Sequence, residues 1–179
     1  LAGMGVGYEV VVVDDGSVDR TAEVAKDYNV VMIDNGGNLG KGTALRAGFL
    51  RAKGDIIVTM DADGSHHPED IPRIVCPMIN GYDVDATIGS RFVDDVGKRS
   101  TTRLHLVGNK VINLVTLFLT GRFVSDSQSG FRAFRREALR KLRLGSSGYD
   151  IESEVVVKML KNGFRIREIP ISCKERHVG

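Results

Sequence analysis

Asp61-Ala62-Asp63 places two carboxylates two residues apart, directly after the apolar run 55–60. In a turn, such a pair can face one hard divalent cation, which takes oxygen ligands and keeps waters that phosphate oxygens replace. Asp61 and Asp63 are therefore the candidate ligands of Mg²⁺ or Mn²⁺. A second acidic turn, Asp14-Asp15-Gly16-Ser17, follows the β-branched run 9–13. A carboxylate there can accept two hydrogen bonds from a ribose diol or from the N–H edge of a base. Gly16 lets backbone approach a ligand closely, and Ser17 can equally serve as cap of the next helix. The third feature, Asn38-Leu39-Gly40-Lys41-Gly42-Thr43, is a glycine-rich loop carrying one lysine. It is not a P-loop, because Asn35 stands five positions before Gly40 and Gly42 follows Lys41. An anion held by Lys41 at a helix N-terminus and a plain connecting loop are both open readings.

The elements that must position these residues alternate along the first half. Strands are expected at 9–13, 30–33, 55–60 and 86–89, and helices at 21–28 and 44–51. Pro68-Glu69-Asp70 reads as a helix's first turn, with proline where its missing N–H does no harm and acids favoured by the helix dipole. Strands alternating with helices predict an α/β fold with three layers, α/β/α, around a mostly parallel sheet. Asp14, Asp61 and Arg91 then each stand at the carboxyl end of a strand, the edge where open α/β sheets bind ligands.

The second half is more helical. A long helix is expected over 101–119, ended by Thr120-Gly121, and shorter ones over 135–142 and 150–161. Residues 164–169 alternate apolar and charged types before Pro170, as in a late or edge strand. No repeat or linker interrupts the chain. One domain over 1–179 is expected, with a nucleotide-binding half over about 1–92 and an acceptor-side half over about 93–179.

Composition bounds the partners. The 179 residues suit one domain with a sizeable core. Lysine and arginine exceed the acids by only 2, so nothing points to nucleic acid. Arg132, Arg135, Arg136, Arg140, Lys141 and Arg143 nevertheless crowd one stretch, as a solvated helix face or an anion site. The two cysteines, Cys76 and Cys173, form no CxxC pattern and suggest a reducing compartment. The apolar stretch 104–119 is broken by His105, Asn109, Lys110 and Asn113 and falls short of a membrane span. Any meeting with a membrane is therefore expected at its surface, from the cytoplasmic side.

Taken in order, VVVDDGS, NLGKGTALRAG, DADGSHHP, GSR, DSQSGFRAF, EIPI and a final ER resemble the inverting family-2 glycosyltransferases with a GT-A fold. Within them the polyprenyl-phosphate branch, the dolichyl-phosphate mannose or glucose synthases, is most similar, from about residue 9 to residue 176. The resemblance implies Asp14 and Asp15, with Lys41 and Asp61, for the nucleotide. It implies Asp61 and Asp63 for metal and diphosphate, and Asp63, Arg91 and Asp126 for catalysis. Arg132 and Arg176, with Gln128 and Ser129, would serve the acceptor phosphate, and the helix over 101–119 would lie near the lipid chain. Two departures stand out. The family's first strand, with its Pro-x-x-Asn-Glu-type turn, is expected to be missing, and Ser65 occupies a position where the family often has glutamine. Relatives also continue into membrane-associated helices beyond the last residue here.

The implied reaction moves a hexose from a GDP- or UDP-sugar to a polyprenyl phosphate. A phosphate acceptor is already largely ionised near neutral pH, so no strong general base is needed, and arginine forks suit its oxygens. Two rival readings remain: a nucleotide-sugar-binding fragment without turnover, and a Mg-dependent phosphoryl-transfer or receiver-type domain. The second accounts for Asp14-Asp15 but leaves DADGS, GSR and SGFR without a task.

Overall fold

The computed structural model describes residues 4–93 and 103–171. Among these residues six strands and six helices follow in the order β1 (Val11–Asp14), α1 (Thr21–Lys26), β2 (Val31–Asp34), α2 (Lys41–Arg51), β3 (Ile56–Thr59), α3 (Ile71–Ile79), β4 (Ala86–Ser90), α4 (Arg103–Thr120), β5 (Arg132–Arg135), α5 (Arg136–Arg140), α6 (Ile151–Lys161) and β6 (Ile166–Pro170). Pro68–Asp70 forms a short 3₁₀ turn into α3, where the sequence placed the start of a helix.

The strands form two sheets. β1 and β2 pair in parallel, Val11 opposite Val31 and Asp14 opposite Asp34. The larger sheet has the order β3-β5-β4-β6. β5 runs antiparallel to both of its neighbours, while β4 and β6 are parallel. Thus β3, β4 and β6 share one direction, as expected, and β5 opposes them. The sequence had given no strand at 132–135 and had begun a helix at Arg135 instead. Four residues with two arginines and no glycine or proline before α5 leave little periodicity to read.

Alternation along the strands covers this sheet on both faces. Ile57, Ala86 and Phe134 face α5 and α6, packing with Leu139, Leu142, Ile151, Val155 and Met159. Ala133 and Ile169, with Phe131, face α3 through Ile74, Val75 and Met78. Thr87, fully buried, donates its hydroxyl to the Ile74 carbonyl at 2.7 Å, so that hydroxyl is satisfied under α3. The three layers are therefore present. α2 packs against β1 and α6, tying the two sheets together. β3 and β4 point the same way and deliver Asp61 and Arg91 just beyond their carboxyl ends.

Candidate active site

Asp61 stands at a crossing of three segments. Its Oδ1 lies 2.8 Å from Lys41 Nζ, at the start of α2. Its Oδ2 lies 4.0 Å from His66 Nε2. Gly130 backs it so closely that a Cβ added there would meet Asp61 Oδ2 at 2.5 Å and Oδ1 at 2.7 Å. Glycine is required at 130 by this approach. If Asp61 holds a cation for a diphosphate, Gly130→Ala should push its carboxylate aside and weaken nucleoside-diphosphate binding in Mg²⁺ about tenfold, with the circular dichroism of the fold retained; calorimetric titration checks it.

Asp63 is set by a different residue. Ser65 donates both its backbone N–H, at 3.0 Å, and its hydroxyl, at 2.5 Å, to Asp63 Oδ1. The serine that replaces the expected glutamine thus orients the second carboxylate. Among the described residues no group of three or more His, Cys, Asp or Glu side chains could hold a metal. The chemistry of two carboxylates at i and i+2 still fits a hard cation that takes its remaining ligands from a diphosphate and water.

His66 is buried and stacks on Phe131, ring centroids 5.2 Å apart. Burial holds its pKa below the usual histidine value, against the pull of Asp61 and Asp63 and helped by Arg91 and Lys41. Its surroundings thereby bring Asp61, Asp63, Lys41 and Arg91 into one electrostatic neighbourhood.

Arg91 is aimed by Asp126. The guanidinium donates through Nε to Oδ2 and through Nη2 to Oδ1, each at 2.8 Å, and the Arg91 backbone N–H adds a third bond. Asp126 itself is wholly buried, with Asn109 Nδ2 at 3.3 Å from its Oδ1. The turn before it is fixed by Glu168 of β6, whose carboxylate accepts from the N–H groups of Ser125 and Asp126 and from the Ser125 hydroxyl. Asp126, expected among the catalytic residues, holds Arg91 in one orientation.

The glycine-rich loop is held from both sides. Asp15 accepts from Asn35 Nδ2 and from the N–H groups of Leu39 and Gly40, at 2.9, 3.1 and 2.7 Å. These bonds, Asn35 foremost, lower its pKa despite partial burial. Asp15 was expected on the nucleotide, yet its carboxylate clamps this loop. Asp14 accepts from the Ser17 N–H at 2.8 Å, and its pKa is lowered chiefly by hydrogen bonding to Ser17. On the far side, the N–H groups of Gly42 and Thr43 both donate to the Ser147 carbonyl. Those two N–H groups of the first turn of α2 are thus capped by protein, which leaves the Lys41 side chain as the group of this loop that could meet an anion. The 145–147 loop is pinned in turn by Glu154, which accepts from the N–H groups of Gly145 and Ser146 and from Lys158. Burial alone would raise the Glu154 pKa, but these donors bring it down to about 2.

Lys41 is paired with Asp61 and with the buried Glu152, beneath the Tyr149 ring at 5.5 Å. Burial would lower its pKa, but Glu152 and Asp61 raise it above the usual lysine value.

Arg132, expected on the acceptor phosphate, is 3% exposed. Its Nε, Nη1 and Nη2 donate to the carbonyls of Ser129, Glu152 and Ser127 at 2.6, 2.8 and 2.7 Å. It staples the 127–129 turn to α6, and burial lowers its pKa against Glu152, Asp126 and Asp61. Arg135 and Arg136 from the same basic run also donate to backbone carbonyls, of Val84 and Met78 and of Lys53. Part of this run is therefore a set of backbone tethers. Gln128 donates to the Ser153 hydroxyl at 2.6 Å, and Ser129 is buried. Arg176 lies outside the described residues, with Cys173 and Lys174. The sequence reading did not single out His66, Ser65 as the Asp63 partner, Gly130, Glu152 or Glu168.

The fold is the GT-A glycosyltransferase fold. It superposes on glucosyl-3-phosphoglycerate synthase from Mycobacterium tuberculosis, crystallised with Mn²⁺, uridine diphosphate and glucosyl-3-phosphoglycerate, at a TM-score of 0.71 and 24% identity, over 96% of this chain and 62% of that one. Residues 5–143 match glycosyl transferase family 2, and the chain belongs to that family. It is 36% identical over 182 residues to polyprenol monophosphomannose synthase of Mycolicibacterium smegmatis, covering 95% of this chain and 68% of that protein. It is 34% identical over 184 residues to a UDP-N-acetylglucosamine–dolichyl-phosphate N-acetylglucosaminyltransferase of Methanococcus voltae, covering 90% of this chain and 73% of that protein. The protein is a family 2 glycosyltransferase. The receiver-type reading is thereby set aside.

Proposed function

We propose that this protein transfers a hexose from a GDP- or UDP-sugar to a polyprenyl phosphate at a membrane surface on the cytoplasmic side, with inversion and with Mg²⁺ or Mn²⁺. The observation that carries it is the Asp61/Asp63 pair at the ligand edge of the sheet, backed by Gly130 and oriented by Ser65. The curated relatives named for sugar transfer to polyprenol or dolichyl phosphate support the acceptor class.

When bound at Asp61 and Asp63, the cation would neutralise charge on the departing diphosphate. Asp14 at the end of β1 would accept hydrogen bonds from the nucleoside. Arg91, held in one orientation by Asp126, would meet phosphate oxygens with its guanidinium. Arg176 is the further candidate for the acceptor phosphate. No helix among the described residues is long and apolar enough to cross a membrane. α4 instead exposes Val111, Leu114, Val115, Phe118 and Leu119, spaced by three and four, with Phe118 89% exposed. This stripe suits contact with the lipid chain of the acceptor.

The test is transfer of labelled sugar from GDP-mannose, UDP-glucose and UDP-N-acetylglucosamine to a short polyprenyl phosphate, with and without EDTA. A β-linked lipid-phosphate sugar formed only without EDTA is expected. EDTA-insensitive transfer, or preference for a sugar hydroxyl over the lipid phosphate, would overturn the proposal.

A further inference from the structure

Transfer as proposed above gives Lys41 and Glu152 no task, although Glu152 is buried and Lys41, half-buried, reaches the Asp61 carboxylate. Glu152 lies in the first turn of α6, within its apolar stripe beside Val155, Val156 and Met159. Its side chain is 7% accessible, and Arg132 fastens its backbone carbonyl. A buried charge is costly unless paired. Lys41 is the partner, and the pairing delivers its ammonium to 2.8 Å from Asp61 Oδ1.

We infer that Lys41, gripped by Glu152, is a built-in counter-cation at Asp61 that makes divalent-metal binding depend on the diphosphate. The inference rests on the reading of Asp61 and Asp63 as the metal's carboxylates. A Mg²⁺ ion sits about 2.0–2.1 Å from its oxygen ligands, so at Asp61 it comes within a few ångströms of the ammonium. Like charges at that separation repel strongly in a partly desolvated place. Glu152 balances the lysine but not a dication as well. A nucleoside diphosphate changes the sum, because its oxygens ligate the cation and accept hydrogen bonds from the ammonium. Metal and diphosphate then strengthen one another, each by the same factor.

The experiment follows free Mn²⁺ by electron paramagnetic resonance, alone and with saturating UDP or GDP. It compares wild type, Glu152→Gln, the double variant Lys41→Met/Glu152→Gln, and Asp63→Asn. The double variant removes both charges, so no buried ion is left unpaired and folding is protected. It should bind Mn²⁺ alone about tenfold more tightly, the scale on which one adjacent charge moves a proton equilibrium. The factor by which nucleotide improves Mn²⁺ binding should shrink to match. Glu152→Gln leaves the ammonium unbalanced and should weaken Mn²⁺ alone. Wild-type Mn²⁺ affinity and wild-type nucleotide dependence in the double variant would overturn the inference. Failure of the underlying metal reading looks different: Asp63→Asn would then bind Mn²⁺ with nucleotide as wild type does.

Discussion

Asp63→Ala should lower kcat/KM for sugar transfer by about 100- to 1,000-fold, the usual cost of losing one electrostatic contact to developing charge. Binding of the bare nucleoside should not change, because Asp63 is expected to meet the diphosphate through the metal. Asp14→Ala should do the reverse, weakening nucleoside and nucleoside diphosphate alike. Calorimetric titration of guanosine, uridine and their diphosphates, beside steady-state rates, separates the two. Equal losses on both ligands in both variants would show that the roles were wrongly divided. Ser65 sharpens the expectation: its two bonds to Asp63 Oδ1 fix one carboxylate oxygen.

Arg132→Met should destabilise the protein by about 3–5 kcal/mol, as expected when one side of a buried charged network is removed. Three carbonyls, of Ser127, Ser129 and Glu152, would lose their donors at once. For a chain of this size the melting temperature should fall on the order of 10 °C. A phosphate-contacting arginine would behave differently, raising KM for the lipid phosphate while leaving the melting temperature unchanged. Thermal denaturation of the variant beside wild type decides between these outcomes. Methionine keeps the volume without the charge, so the loss reflects the guanidinium bonds.

Much of this architecture is legible in the residues. β1, β3 and β4 each carry a β-branched or apolar run closed by a polar turn, and the structure finds all three within a residue or two of where the runs lie. The DAD turn sits at the sheet edge for the same reason. What the sequence hides is the identity of partners brought together from far apart. Arg132 has the composition of a surface basic patch, and only the strand pairing of β5 turns it inward on the side of Phe134. Glu152 was more readable: it falls on the buried face of α6, one turn before Val155 and Val156, where an acid needs a partner. Gly130 and Asp61 are remote in sequence, so no spacing rule joins them. The contacts of Asp15 with the 35–40 loop were hidden because an acid after a strand can serve a ligand or a neighbouring loop with the same residue type.

The placement of β5 has a consequence for how such proteins diversify. The chain leaves the sheet after Ser90 and returns at Arg132 directly beside it, with Ile88 opposite Arg132 and the Gly89 N–H on the Phe131 carbonyl. Residues 91–131 are thus a closed excursion with both ends fastened to the same spot. The exposed face of α4 can therefore vary while the sheet on either side keeps its register. The carboxylates of β1 and the β3 turn lie outside that excursion, whereas the exposed face of α4 lies within it. If α4 meets the acceptor lipid as proposed, its exposed face can change while Asp14, Asp61 and Asp63 keep their places, provided Arg91, Asp126 and Gly130 within the excursion are kept.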